Sequence, residues 1–248
     1  MANILLGVTG SVAATLTPKL VRALKEIGSV EAVCTRWGEY FFNSSEVDCR
    51  IWRDEDEWWT QDAAPLFPEL KQRKWLKKGD PVVHIDLRKW ADILILAPLT
   101  ANTMAKICCG ICDNLLTSVV RAWDWNKPLL FAPAMNTIMW INPPTGGHVE
   151  VLQQRGAILV PPVSKELACG DEGEGAMARI ETIAAQTCRA LLPVGSRTAV
   201  EQDLHYFVHE GGADGTFSHI RFHAEHGEWA KLAAHYAALV LRSRGESW

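Results

Sequence analysis

The chain has 248 residues, 48 % of them hydrophobic, with a formal charge of −4. That composition allows a sizeable core in one large domain or two small ones. It gives no reason to expect nucleic acid or an anionic membrane as partner, and no apolar run approaches the roughly 20 residues that span a bilayer. Seven cysteines, an odd number in a long, core-rich chain, indicate a reducing compartment and a cytoplasmic protein.

In chain order, Ile4 to Val8 reads as a buried strand rather than a signal peptide, since no basic segment precedes it. Gly7 to Ala14 then turns into a helix running to about Ile27, with Val12, Leu16, Leu20, Ala23, Leu24 and Ile27 at helical spacing. Gly10 permits close backbone approach and Ser11 can cap the helix. Free N–H groups at such a start suit a phosphate, but the glycines do not spell G-x-G-x-x-G, and Gly10-Ser11 reads equally as a plain turn. Val30 to Thr35 is the second strand. It ends Cys34-Thr35-Arg36-Trp37, without the acidic residue that an NAD ribose requires, which counts against NAD. Arg36 leaves NADP barely open. Tyr40-Phe41-Phe42 suits packing on a flat ring or filling the core. Trp52 to Asp80 is highly charged and interrupted by Pro65 and Pro68, and reads as a surface excursion of loops and short helix. Its tryptophans Trp52, Trp58, Trp59 and Trp75 suggest a docked surface or a subunit contact.

Pro81 to Arg88 approaches the third strand, Ile93 to Ala97. A lone histidine is more often structural than catalytic; His84 gains interest because its segment adjoins that strand. Thr100 to Ile107 and Asp113 to Ala122 follow as helix, broken near Gly110. Cys109-Gly110-Ile111-Cys112 has C-x-x-C spacing, but no second pair or paired histidine accompanies it. Small buried residues packing a helix are the better reading than a metal or redox site. Leu129 to Ala132 is the fourth strand. The two strand–loop–helix units put Pro98 to Thr103 and Pro133 to Asn136 at one sheet edge, where an open parallel sheet holds its ligand. Thr145 to Arg155 is helical with Gly156 as its stop, and Ala157 to Val160 is the fifth strand. Gly170, Gly173 and Gly175 then mark a mobile loop, and Cys169 within it is a candidate for chemistry. Arg179 to Leu192 closes as a helix. Five strands alternating with helices make a doubly wound α/β sheet. Residues 193–248 differ in character: a partly flexible extension jointed at Gly211 to Gly215, with an amphipathic helix over Glu228 to Arg242. His219, His223 and His226 lack a convincing metal spacing, and no metal is expected.

Four motifs in order carry a resemblance. They are Pro98-Leu99-Thr100-Ala101-Asn102-Thr103, Gly110-Ile111-Cys112-Asp113-Asn114-Leu115-Leu116, Pro133-Ala134-Met135-Asn136-Thr137-Ile138-Met139-Trp140 and Leu167-Ala168-Cys169-Gly170-Asp171. From Asn3 to Leu192 the chain resembles the flavin-dependent cysteine decarboxylases, and within them the phosphopantothenoylcysteine decarboxylase and halotolerance-protein group. The resemblance implies a flavodoxin-like, Rossmann-type three-layer fold in a single domain over residues 1–192. It also implies bound FMN and a homotrimer, or a multiple of trimers, with sites between subunits. By the same resemblance His84 is the active-site base and Cys169 the cysteine of a substrate flap. Asn136 holds the substrate carboxylate, with Met139, Ala168 and Gly170 as further substrate positions. Gly10, Ser11, Val12, Thr35, Phe41, Thr100, Ala101, Asn102, Thr103, Ala134 and Met135 match cofactor positions. Three features depart from the family: Trp37-Gly38-Glu39 replaces Ser- or Thr-rich residues, residues 57–78 form a surface insertion, and 193–248 has no counterpart.

The implied reaction converts phosphopantothenoylcysteine to phosphopantetheine in coenzyme A biosynthesis. A carboxylate leaves as CO2 only when its electrons have somewhere to go. Oxidation of the substrate thiol by FMN gives a thioaldehyde as sink, decarboxylation leaves an enethiolate, and the electrons return with Cys169 as proton donor. Two alternatives stand beside it. One is a halotolerance-type regulatory subunit that binds and inhibits a protein phosphatase; His84, Asn136 and Cys169 in one chain, with no acidic tail, favour an enzyme. The other is a peptide-cysteine decarboxylase that stops at the enethiol, against which the Cys169 flap argues.

Overall fold

The computed structural model describes residues 1–57, 82–166 and 172–192. It divides into the compact units Met1–Ala178 and Arg179–Trp248, of which the second is described only through α9 (Ile180–Leu191) and the residues beside it. In the first unit six parallel strands form a sheet in the order β3-β2-β1-β4-β5-β6. They are β1 (Ala2–Val8), β2 (Gly28–Cys34), β3 (Arg50–Trp52), β4 (Ile93–Leu99), β5 (Leu129–Pro133) and β6 (Ile158–Leu159). The chain starts at the centre, builds β2 and β3 to one side, then crosses to lay β4 to β6 on the other. The reversal falls between β1 and β4, where Ile4 to Gly7 pair with Ile93 to Leu96. In an open parallel sheet the ligand crevice lies at such a reversal, beyond the carboxyl ends of the two strands. With the three-residue edge strand β3 set aside, this is the flavodoxin order.

The helices are α1 (Thr17–Lys25), α2 (Arg36–Glu39), α3 (Asp54–Glu57), α4 (Val83–Trp90), α5 (Ala101–Cys109), α6 (Leu115–Arg121), α7 (Thr137–Trp140) and α8 (Pro143–Gln154). An antiparallel hairpin, β7 (Val163–Glu166) and β8 (Glu172–Ala176), follows β6. All seven residues of β4 are buried, as expected of a parallel strand covered on both faces. On one face Leu5, Leu94 and Leu96 pack with Leu87 of α4, Met104 of α5, and Leu116 and Val119 of α6. Gly7 admits α6: a Cβ there would lie 2.6 Å from Leu116 Cδ1.

Several elements differ from expectation. Arg50–Trp52 is a sixth strand; it is too short and mixed for a periodic signal, and Trp52 is held by donating from Nε1 to Glu31 Oε2 at 2.6 Å. The first helix is split into a 3-10 segment, Val12–Leu16, and α1, because Pro18 starts a new helix rather than continuing one. The segment around His84 is helix, not an approach to a strand. Val83 and Leu87 are its buried pair, at a spacing of four. The glycine-rich stretch after residue 171 is strand β8. Cys109 closes α5 and Cys112 lies beyond it, both exposed, so the C-x-x-C does not pack a helix interior. Gly110, at φ 77°, ends the helix there, with Ile111 N–H donating back to Lys106 O. The apolar stretch Asn114 to Trp125, which by sequence carries more hydrophobic surface than one monomer need expose and so suggests a subunit contact, is mostly core: Leu115, Leu116, Val119, Val120 and Trp123 are buried within the monomer, and Trp125 is exposed. The excursion after Trp52 does not begin at the surface either, since residues 53–57 are half-buried. Trp58, Trp59, Trp75, Ala168, Cys169, Gly170 and everything after Leu192 lie outside the described residues.

Candidate active site

The crevice edge is organised by Thr9, a fully buried threonine at the end of β1. Its Oγ1 donates to Pro98 O at 2.8 Å and accepts from Thr100 N–H at 2.9 Å; its own N–H donates to Pro98 O at 3.2 Å. One side chain therefore sets where β4 ends and α5 begins. Thr100 caps α5, its Oγ1 accepting from Thr103 N–H at 3.3 Å. Among the described residues nothing accepts from Ala101 or Asn102 N–H, so the first turn of α5 offers backbone donors where the helix dipole favours an anion. Ser11 caps the 3-10 segment by accepting from Ala13 N–H at 3.3 Å, and the Val12 side chain stays exposed.

The end of β2 is joined to the same edge. Thr35 N–H donates to Val8 O at 3.0 Å, and Thr35 Oγ1 accepts from Gly38 N–H at 3.1 Å, capping α2. Gly10 packs so near this turn that a Cβ on it would sit 2.6 Å from Trp37 Cβ. Phe41 follows α2, with its ring edge-on to Tyr40 at 5.3 Å between centroids. On the other side Ala134 N–H donates to Leu99 O at 3.0 Å, tying the β5 loop to the end of β4. Met135 N–H donates to Gly175 O at 2.9 Å. Asn136 Oδ1 accepts from Ile138 N–H at 2.8 Å as the cap of α7, and Met139 on that helix is exposed. Gly175, at φ 140°, lies so close that a Cβ would collide with Met135 O, and a Cβ on Gly173 would collide with Thr137 Oγ1. These glycines serve close approach rather than mobility. They seat β8 on the Asn136 loop, so the hairpin whose connection carries Cys169 rests against that asparagine's turn.

His84 stands in the first turn of α4. The far end of α4 meets the start of the sheet: Asn3 Nδ2 donates to Trp90 O at 2.9 Å, and Asp92 N–H donates to Asn3 O at 2.8 Å. The first turn thus lies toward the carboxyl edge, and there it meets α3, which directly follows β3. Glu57 Oε2 accepts from His84 N–H at 2.9 Å, and Glu57 Oε1 lies 2.7 Å from His84 Nδ1. The Glu57 side chain is 9 % exposed and that of His84 26 %. Asp54 and Asp56 of the acidic run are also engaged. Asp54 Oδ1 accepts from Leu115 N–H at 2.7 Å, at the start of α6; Asp56 Oδ2 accepts from Arg53 N–H at 2.8 Å. Arg53 forks onto Glu39 through Nε and Nη2 at 2.7 and 2.5 Å. Burial pushes the Asp54 carboxyl above the ordinary aspartate range, against the opposing pull of the Leu115 N–H. Burial likewise raises the Cys34 thiol, and takes Cys49 up to about 11, so both stay protonated at neutral pH.

The positions Gly10, Ser11, Val12, Thr35, Thr100 to Thr103, Ala134, Met135 and Asn136 all fall at the carboxyl ends of β1, β2, β4 and β5. Sequence reasoning passed over Thr9 and Glu57. Thr9 carries no signal beyond preceding Gly10, because its partners are about 90 positions away. Glu57 was hidden in a run of four carboxylates, and its partner is 27 positions on.

The flavoprotein family's sequence pattern matches residues 1–192. Phosphopantothenoylcysteine decarboxylase of Mus musculus is 47 % identical over 196 residues, covering 78 % of this chain and 89 % of that one. Among solved structures, a cysteine-to-serine mutant of PPC decarboxylase complexed with pantothenoylaminoethenethiol superposes with a TM-score of 0.68 at 44 % identity, over 75 % of this chain and 96 % of its own. The FMN binding protein AtHal3 gives 0.65 at 45 % identity, over 75 % and 94 %. With this pattern across all the described elements, on a six-stranded sheet of the expected topology, the chain belongs to the flavoprotein family, in the group of the phosphopantothenoylcysteine decarboxylases and HAL3 proteins.

Proposed function

We propose that the protein is an FMN-dependent decarboxylase that converts phosphopantothenoylcysteine to phosphopantetheine. The observation that carries the reading is the seating of β8 on the Asn136 turn, through Met135 N–H to Gly175 O at 2.9 Å. It associates a carboxylate-binding asparagine with the strand leading from Cys169. The relatives named for this decarboxylation, and the relative complexed with an ethenethiol, support the same substrate class.

The crevice edge fits FMN by its chemistry. Unclaimed N–H groups at the start of α5, with the Ser11 and Thr100 hydroxyls at neighbouring loop ends, suit a phosphate. The exposed Val12 suits an apolar ring. Thr35, Phe41, Ala134 and Met135 complete the proposed holding set, and the similarity to AtHal3, an FMN binding protein, supports it. FMN, when bound, supplies a two-electron acceptor for the substrate thiol and later returns the pair. The chain's own residues bind and move protons. Asn136 orients the carboxylate that leaves as CO2, with Met139, Ala168 and Gly170 alongside. His84 accepts a proton during oxidation. Cys169 delivers one to the enethiolate carbon.

The assembly is a homotrimer or a multiple of one, and Trp37, Tyr40, Ile138, Met139 and Ile141 are exposed apolar residues available to such a contact. The setting is reducing and cytoplasmic, the reading that an odd number of cysteines in a long, core-rich chain supports. The HAL3 name does not by itself favour a phosphatase-binding role, because a relative carries both names, "Phosphopantothenoylcysteine decarboxylase HAL3".

The test is a single-turnover reaction with phosphopantothenoylcysteine, followed by flavin absorbance, CO2 and product mass. Wild type yields phosphopantetheine; Cys169→Ser oxidises and decarboxylates but stalls at the enethiol with reduced flavin. Folded protein that releases no flavin on denaturation, or Cys169→Ser that makes phosphopantetheine at the wild-type rate, overturns the proposal.

A further inference from the structure

We propose that Glu57 is a positioning residue for His84, holding its imidazole as the Nδ1–H tautomer so that Nε2 is the nitrogen that accepts the proton. The inference rests on the reading of His84 as the active-site base. Glu57 uses both carboxylate oxygens on one residue, at 2.9 Å to the His84 backbone N–H and 2.7 Å to Nδ1. An ionised carboxylate only accepts hydrogen bonds, so Nδ1 is the protonated ring nitrogen. The neutral ring then carries its lone pair on Nε2, which has no hydrogen-bond partner among the described residues. Gripping the backbone and the ring together also fixes the direction in which the ring leaves α4. Val82, the N-cap residue, supplies no side-chain hydrogen bond to that helix, and the carboxylate of Glu57 accepts from its first turn instead.

Glu57 is itself held. Asp54 and Asp56, in the same four-residue helix, bind the Leu115 and Arg53 N–H groups, and the Arg53 guanidinium clamps Glu39. Arg53, Asp54 and Glu57 thereby tie this segment to α2, α6 and α4 respectively. A buried carboxylate that orients an imidazole and stabilises its cation is the arrangement by which a histidine becomes a directed base. When His84 takes its proton at Nε2, the positive charge formed sits against Glu57.

Selective 15N labelling of histidine, with long-range proton–nitrogen NMR on the holoenzyme, reads the tautomer directly. His84→Asn identifies the signal. The expected wild-type result is a neutral ring protonated at Nδ1. Glu57→Gln can still cap α4 with its amide oxygen while presenting an NH2 to the ring. It is expected to change the His84 signal toward the Nε2–H form and to lower kcat by roughly 10–100-fold, a part of the 10²–10⁴ that general-base catalysis supplies, with KM little changed. Glu57→Asp is expected to recover part of the loss. A wild-type His84 protonated at Nε2 overturns the proposal whatever the variants do, as does a Glu57→Gln protein with wild-type tautomer and kcat. If instead His84→Asn itself releases CO2 at the wild-type rate, the reading of His84 as base falls, while the tautomer measurement still decides what Glu57 does to the ring.

Discussion

The two sides of the crevice are built by different means. On the Thr9 side, position is a property of the backbone: β1, β4 and β5 end within the buried sheet, and one fully buried hydroxyl links Pro98 to Thr100. On the His84 side, position depends on carboxylates from a four-residue helix outside the sheet, gripping the first turns of α4 and α6. The FMN surface proposed on the first side is made of main-chain donors and small residues, and suits the first kind of construction. The base proposed at His84 suits the second, because a side chain has to be aimed. The two sides should therefore fail differently when altered.

The largest effect is expected from His84→Asn. It should reduce substrate-driven flavin reduction and CO2 release together by about 10²–10⁴-fold, while flavin content measured by absorbance stays at the wild-type ratio; parallel loss of flavin would show that the two sides are one structural unit. Asn136→Asp comes next. Aspartate is as good a helix cap, so α7 should stay intact. The added charge against the substrate carboxylate should weaken substrate engagement by roughly 10–100-fold, read as KM against an unchanged melting temperature. An unaltered KM would remove Asn136 from carboxylate binding.

Thr9→Val tests the backbone side. It keeps the shape but removes one donor and one acceptor, at a cost of about 1–3 kcal/mol for the buried groups left unpaired. Flavin affinity, titrated by fluorescence, should fall while residual holoenzyme turns over normally. A fall in kcat with full flavin occupancy would contradict the division. The smallest effect is expected at Asp54. Its carboxyl is raised by burial, so its stabilising contribution is full at low pH and is lost as pH rises through the raised folded value. Asp54→Asn keeps an acceptor for Leu115 N–H without that charge. The variant's melting temperature relative to wild type should therefore be higher near pH 7 than near pH 4, and a pH-independent difference would place Asp54 among ordinary solvated aspartates.

Legibility followed the range of the interaction. The runs Ile4 to Val8, Ile93 to Ala97 and Leu129 to Ala132 announce central strands because burial on both faces demands unbroken apolar sequence. Gly110 and Gly156 announce helix ends because their positive φ suits glycine. Strand β3 gave no such signal. Its three residues hold their place through an edge pairing with Glu31 to Val33 and through Trp52 on Glu31. The helical character of residues 83–90 was masked because only Val83 and Leu87 are buried on one face.

By itself the sequence determined the order of the central strands and helices, the loops that reach the carboxyl edge, and the family, because each is written in contiguous residues whose spacing or motif is local. Only the tertiary structure decided that Gly173 and Gly175 seat a strand on the Asn136 turn, that Leu115, Leu116, Val119, Val120 and Trp123 are core, and that Thr9 links Pro98 to Thr100 while Glu57 grips His84. Those facts join residues 27 to about 90 positions apart. A polar side chain's partner at that distance is set by how the sheet winds and which helices cover it, and no local pattern encodes it.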